Sequence, residues 1–429
     1  MKQVAIVGTG IAGMSAAARL APEVSLILYE RNAYVGGHTH TVTVSQPGES
    51  VPVDTGFMVY NEVTYPRLTR LFADLGVETM PTDMSFGVHH RARNLYWGSR
   101  MPFGLFAQAR NLVRPDFWRM LRDLGAFNRR AAAILDDPSW EDRTMAEFVD
   151  ELGLSRVFLD LYLLPMIAAI WSSPHDLMLE FPAVTMIRFL HNHGLLGVTT
   201  QHPWRTVKGG SQEYREKLIA PFRDQIHTEC AAVSIEPDNS GPGAIVTDVK
   251  GRRFHYDAVL IATHADEARA LLKHPTPDEN QLLGAFSYSR NEVVLHTDPS
   301  VMPPRRRAWT SWNYEIHETG DSIAASTHYW MNLLQRVSDR RDYFVSVNPR
   351  PGAIAPEHVS WSSIYHHPNF DLASARAQRE LPRLNAKGPL YFAGSYFRYG
   401  FHEDALMAGQ DAAESLLSHL HASTEILSL

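Results

Sequence analysis

The chain has 429 residues, 45% of them apolar and 20% charged, which is the composition of a globular protein of two or three domains and excludes a disordered one. Its net charge of −7 argues against a nucleic-acid partner, and its one cysteine, Cys230, leaves neither an internal disulfide nor a multi-cysteine zinc site; no metal is expected. No charged-then-apolar leader precedes Val4, and the longest nearly apolar run, Leu161–Trp171, is shorter than the ~20 residues of a membrane span, so a cytoplasmic protein is expected.

Val4–Val7 is a short apolar run that reads as a buried strand. Gly8-Thr9-Gly10-Ile11-Ala12-Gly13 follows, then an Ala-rich helix over Met14–Leu20 and a second strand, Val24–Tyr29, closed by Glu30. This is the GxGxxG fingerprint in its required setting of strand, helix, strand and acid. Gly8 allows the tight turn, Gly10 lets backbone approach a pyrophosphate at the helix N-terminus beside Ile11 and Ala12, and Gly13 permits close helix–strand packing. Glu30 suits a ribose hydroxyl and repels a 2′-phosphate, which disfavours NADP. Past Arg31 comes a glycine pair, Gly36-Gly37-His38-Thr39, and then a strand that leads to Asp54-Thr55-Gly56-Phe57-Met58.

Between Arg91 and Arg130 nine arginines face two acids, Asp116 and Asp123. Within that window Phe117, Leu121, Leu124 and Phe127 are spaced 4, 3 and 3, as on one helix face. The stretch is rich in large apolar residues (Phe103, Phe106, Trp118, Met120, then Phe158–Trp171), which favours an apolar substrate pocket. The basic helix has two readings, a face lying on anionic lipid and an ordinary solvated face of a core helix. The first would give peripheral contact at an inner membrane surface through Arg91–Arg130, with lipid access to the pocket there.

His191 and His193 follow a mainly apolar stretch, and Tyr365-His366-His367 lies later. His193, Tyr365 and His366 are candidates for moving a proton. Further on, Gln212–Phe222 reads as a helix, followed by strand-like runs at Ile226–Ile235, Ala244–Val249 and Tyr256–Thr263, with Cys230 on a strand. Leu390–Ser395 is a strand ending in Ala-Gly (Gly394, Ser395). Gly400-Phe401-His402-Glu403-Asp404 opens a helix that runs to about Leu420.

The glycine pair, the Asp54–Phe57 segment and the closing Ala-Gly…Gly-Phe-His-Glu motif together resemble the FAD-dependent amine oxidase superfamily, which includes monoamine oxidases, protoporphyrinogen oxidases, phytoene desaturases and a bacterial polyunsaturated fatty acid isomerase. The resemblance implies an α/β fold: a discontinuous Rossmann-like FAD-binding domain (1–80, 203–270, 385–429) with an interleaved α+β substrate domain (81–202, 271–384). It implies noncovalent FAD held by Gly8, Gly10, Ile11, Ala12, Gly13, Glu30, Arg31, Gly36, Gly37, His38, Thr39, Gly56, Phe57, Met58, Val233, Gly394, Ser395, Phe401, His402 and Glu403. Phe401 falls where monoamine oxidases place an aromatic residue facing the flavin. His38 stands where the family usually has arginine, Ser395 replaces an acid and Asp404 a glycine.

Segments such as Ala169-Ile170-Trp171-Ser172 and Trp204–Ser211 further resemble a bacterial branch often encoded beside cyclopropane-fatty-acid synthases, which implies an acyl or lipid substrate. Neither Lys208 nor Lys273 has a convincing context for a lysine at flavin N5, which weighs against ordinary amine oxidation. The expected function is hydride transfer by a desaturase, dehydrogenase or isomerase on an apolar substrate, with the electron acceptor unassigned. The alternatives are a flavin amine oxidase and a flavin-binding protein without turnover.

Overall fold

The computed structural model describes residues 1–46, 48–100, 103–174, 176–197, 200–319 and 322–427. The apolar runs form a five-stranded parallel sheet in the order Ile226–His227, Ser25–Tyr29, Gln3–Val7, Ala258–Ile261, Leu390–Phe392, with Val4 opposite both Leu26 and Ala258. These strands read as continuous apolar runs because both faces are covered. On one face Val4, Ile6, Leu26 and Leu28 pack with Ala16, Ala17, Leu20, Leu406, Ala412 and Leu416, from the first helix (Ile11–Leu20) and the last (His402–Leu427). On the other, Ala5, Val7 and Ile261 pack with Ile235 and Val246 of an antiparallel sheet, Ala232–Pro237, Ala244–Asp248 and Arg253–Tyr256.

A wider sheet has seven strands in the order Val359–Asn369, Ser287–His296, Phe344–Val347, Ser322–Trp330, Trp312–Thr319, Phe86–His90, Leu95–Gly98. It is antiparallel except where Trp312–Thr319 meets Phe86–His90, the seam between two distant stretches of chain. Helices that include Pro115–Arg130, Leu164–Trp171 and Ala183–Asn192 pack against it. The apolar run Leu161–Trp171 is buried here. No helix of the described residues is long and apolar enough to cross a membrane.

Several elements differ from the sequence expectation for physical reasons. The first helix begins at Ile11, directly after Gly10, and the last extends to Leu427. The run Ile226–Ile235 is two strands in different sheets, separated by a turn in which Glu229 has φ +51°. Cys230 lies in that turn, partly buried, and not on a strand; its N–H donates to the Glu30 carbonyl at 2.8 Å. Tyr256–Thr263 likewise breaks at Asp257, whose N–H crosses to Gln3 O. The helix Gln212–Ile219 gives way to a tight turn over Ala220–Gln225, where Pro221 supplies no N–H.

The basic window also differs from the lipid-facing helix. Phe117 and Phe127 are fully buried and Leu121 and Leu124 pack on the same core, so the 4-3-3 face of Pro115–Arg130 is turned inward. Four of the nine arginines are tied to carboxylates: Arg91 to Glu315, Arg93 to Asp160, Arg100 to Asp83 and Arg122 to Asp123.

Candidate active site

A cavity of about 820 Å³ runs from the carboxyl ends of the parallel strands to the inner face of the wide sheet. At one end a Cβ on Gly8 would lie 2.6 Å from Ala262 O, and one on Gly13 would lie 2.0 Å from Gly8 O. Both glycines are therefore needed by the protein's own packing, and Gly13 does not line the cavity. A Cβ on Gly10 meets nothing within 4 Å, so the backbone there faces open cavity space that a ligand can approach closely. The helix starts there with no side-chain cap. Its first N–H groups, at Ile11 and Ala12 on the cavity wall, suit an anion.

Gly37 approaches this turn closely: a Cβ would sit 3.3 Å from Gly10 Cα. Glu30 is buried; its carboxylate accepts the Thr9 N–H and hydroxyl on one oxygen and the Asn32 N–H at 2.8 Å on the other. Arg31 lines the same end, paired with Glu267 at 2.6 Å. Half-exposed Val233 lines it with Ala231 and Ala232.

Beyond Gly36 and Gly37, the wall at the other end is made by His38, Gly56–Met58, Gly394, Ser395 and Gly400–His402. The last helix lies against the first because Gly409 has no side chain: a Cβ there would come within 2.2 Å of Ala12 O. The Ser15 hydroxyl donates to Leu406 O across the same contact. Two helix N-termini thereby open onto one cavity.

His402 Nε2 meets the Tyr214 hydroxyl, which in turn meets the Thr39 hydroxyl at 2.6 Å. Thr39 thus supports the wall without lining it. Glu403 does not line it either, which corrects the expected cofactor contact. One residue along a helix turns about 100° away, and the Glu403 carboxylate accepts the N–H groups of Arg67 and Leu68 at 2.8 and 2.9 Å, capping the helix Pro66–Asp74.

Phe401 stacks on Phe189 (centroids 4.8 Å apart, planes 19° apart) and meets Trp171 edge-on at 5.7 Å. His193 stacks on Phe189 at 3.9 Å and donates from Nδ1 to Phe189 O at 2.9 Å. Burial holds His193 down to about 4, so it is neutral with Nε2 left as an acceptor. Tyr365 OH meets Thr55 Oγ1 at 2.8 Å and His40 Nδ1 at 3.0 Å, and burial pushes its pKa well up. His366 lines the cavity beside it. His367 accepts the Asn291 amide at 2.8 Å and is held down to about 4 by burial and by His264.

No local pattern in the sequence marks such other wall residues as Phe189, Tyr329 and His264. Lys208 and Lys273 lie off the cavity, paired with Glu78 and Glu236. No described residue of the window Arg91–Arg130 lines it, so the expected lipid entry at that window is not seen among the described residues. Three wall residues, His38, Trp312 and Tyr396, carry buried polar atoms with no partner among the described residues: Nε2, Nε1 and the hydroxyl. Together with the space beside Gly10, they fit a large ligand with an anionic middle.

The profile of the family described as flavin containing amine oxidoreductase matches residues 11–417. The chain belongs to that family. FAD is therefore its cofactor, and the lone cysteine, in the turn beside Glu30 and far in sequence from the closing motif, agrees with noncovalent binding.

The chain is 26% identical to flavin-containing amine oxidase A of Equus caballus over 298 residues (66% of this chain, 54% of that protein). It is 28% identical to the Canis lupus familiaris protein over 240 residues (53% and 43%). It spans about half the length of these curated relatives. Its fold is similar to cyclohexylamine oxidase from Brevibacterium oxydans (TM-score 0.70, 18% identity, 98% and 99% of the two chains). It is also similar to a CLA-producing fatty acid isomerase from P. acnes (TM-score 0.66, 12% identity, 96% and 98%).

In the flavin site of this chain Gly10, Ile11, Ala12 and Glu30 would hold the pyrophosphate and ribose, and Phe57, Phe401 and His402 would border the ring.

Proposed function

We propose that the chain is an FAD-dependent oxidoreductase acting on an apolar, uncharged stretch of its substrate, of which a fatty-acyl chain is the fitting class. Bound FAD supplies hydride transfer with carbon. The observation that carries the reading is the makeup of the wall. Met84, Phe86, Met166, Ile170, Trp171 and Tyr329 line the part away from the nucleotide end. Among the described residues the only lining carboxylates, Glu30 and Glu267, and the only lining arginine, Arg31, stand at the nucleotide end, and no lysine lines the cavity.

An ammonium group beside Phe401 would face no carboxylate among the described residues lining that part of the cavity, a costly arrangement for a buried charge. A free carboxylate there would be equally unpaired. An acyl chain with its head group outside, or an ester, meets neither cost. The neutral His193 and the uncharged Tyr365 exclude charge while remaining able to hold or pass a proton at Nε2 and the phenol oxygen.

A second reading, oxidation of a hydrophobic amine in its neutral form, is favoured by the Phe401–Phe189–Trp171 aromatic group and by the names of the similar proteins. Anaerobic mixing of the yellow holoprotein with unsaturated and saturated acyl esters, and separately with a panel of amines, tests both. Bleaching of the flavin, or a shifted double bond recovered without net bleaching, with acyl esters alone supports the first. Bleaching by amines alone overturns it. No change and no product with either class leaves a flavin-binding protein without turnover.

A further inference from the structure

Among the described residues ten large apolar side chains are exposed, and four of them fall between Phe103 and Trp118: Phe103 (69%), Leu112 (52%), Val113 (79%) and Trp118 (49%). Their exposure is built in. Asn111, fully buried, donates its side-chain amide to Tyr96 O at 3.0 Å and Leu105 O at 3.3 Å. Gln108 donates to Asn94 O at 3.0 Å. With Asn111 pinned inward, the tight turn Ala109–Val113 presents Leu112 and Val113 to solvent. The Trp118 indole N–H donates to Leu112 O at 2.9 Å, and Phe106 packs 6.0 Å from its ring, so the indole is held against the same turn.

Basic residues Arg110, Arg114 and Arg119 belong to the same turn and helix start. Arg110 and Arg119 make no ion pair among the described residues. Arg114 donates only to the carbonyls of Arg93 and Asn94. The acid that opposes them in the first helical turn is Asp116. Fixed aliphatic and indole groups with guanidinium groups on the same short stretch of chain, none of them ion-paired among the described residues, are what an anionic bilayer surface accommodates: the apolar tips enter the interface, the indole sits at head-group level and the arginines meet lipid phosphate. Val113 at 79% exposure is a protruding tip and not the wall of a groove. A deformable lipid surface suits such a tip better than a rigid protein face.

We propose that the turn Ala109–Val113 with the start of the helix Pro115–Arg130 docks the protein on the surface of an anionic membrane. Only this patch need face the lipid, so the net charge of −7 does not oppose docking beyond a Debye length of about 8–10 Å. The inference concerns a surface away from the flavin cavity. Binding is scored without turnover, so it stands or falls separately from the substrate reading.

The experiment is cosedimentation of FAD-loaded protein with vesicles of phosphatidylcholine alone and of phosphatidylcholine with phosphatidylglycerol. Binding is expected to the anionic vesicles only and to fade as salt rises. Leu112→Ser/Val113→Ser/Trp118→Ala and, separately, Arg110→Glu/Arg119→Glu are each expected to lower partitioning about tenfold or more. Both variants should keep bound FAD and the parent's melting point to within a few degrees. Arg70→Glu, on another exposed helix, should change nothing. Equal binding to both vesicle types, no binding to either, or unchanged binding by both patch variants would overturn the proposal. A dimer in sizing that the same substitutions dissolve, without vesicle binding, would assign the patch to self-association and also overturn it.

Discussion

The imidazole of His402 lies flat on the ring of Phe57, with centroids 3.9 Å apart and planes 12° from parallel. The two residues come from segments 345 positions apart, the turn after Glu49–Asp54 and the first position of the last helix. Tyr214 holds the imidazole by its hydroxyl, and burial drives His402 down to about 3. The stack is thus a neutral wall at any ordinary pH. Replacing Tyr214 with Phe removes the bond and leaves a buried imidazole nitrogen unpaired, at a cost of about 1–3 kcal/mol. A melting point lower by several degrees with a slower-bleaching or less tightly held flavin is the expected result; an unchanged protein would show that the bond positions nothing.

The fingerprint glycines should separate folding from cofactor binding. Gly13→Ala places a methyl 2.0 Å from Gly8 O, so the apoprotein itself should be destabilised. Gly10 has φ −60° and ψ 176°, which alanine adopts freely, and open space beside it. Gly10→Ala should leave apoprotein melting unchanged and weaken FAD by tenfold or more, roughly the 1.4 kcal/mol of one lost close contact or hydrogen bond. Apoprotein calorimetry and flavin fluorescence titration read the two effects independently.

Glu403 offers a contrast with its neighbour Phe401. Glu403→Gln should cost about 1–2 kcal/mol by weakening the cap on the helix Pro66–Asp74, with the flavin absorption spectrum unaltered. Phe401→Ala should do the reverse, shifting the spectrum or reactivity while the chain stays folded. Spectral change in the Glu403 variant would return that residue to the cofactor wall.

Stability should fall on acidification below pH 6.5. Burial holds His40, His89, His193, His296 and His367 down to about 4, and His402 to about 3. Between there and the ordinary value of 6.5 the unfolded chain binds protons that the native one refuses, so stability rises with pH through that window. Asp404 acts the other way. Buried and bonded to the Phe401 N–H, it is raised from 3.8 to about 7, so the native state holds a proton the unfolded one lacks, and its contribution is lost as pH rises toward 7. Asp404→Asn should therefore stabilise the protein at pH 8, by on the order of 2 kcal/mol, and progressively less toward pH 4. Equal melting shifts at both pH values would refute the assignment.

The nucleotide end was legible in the sequence because its parts are local: strand, Gly8–Gly13, helix, strand and Glu30 fall within thirty residues, and each spacing has one physical use. The ring end was legible only through the closing motif. Phe189, Trp312, Tyr329 and His367 reach the cavity from strands and helices far apart in the chain, and no period marks them. Elsewhere local geometry overrides the pattern. Consecutive helical residues point 100° apart, which sends Glu403 away from Phe401. A 4-3-3 apolar stripe is the same whether lipid or protein covers it, and at Phe117–Phe127 protein does. The exposed apolar tip lies one turn earlier, where no periodicity draws attention to it.

The contact between Gly409 and Ala12 gives the order of synthesis a consequence. The first helix is made long before its partner, so one of its long flanks stays bare until the segment around Gly409 is synthesised, and until then the ring end of the cavity lacks Gly400–His402. Contacts of such separation close late. A nascent chain short of Gly409 therefore leaves Ala12 and Ser15 uncovered, and full cofactor capture waits on the helix that begins at His402. A chain halted before Leu390 should hold no flavin and be cut by protease within Ile11–Leu20, while the full holoprotein resists.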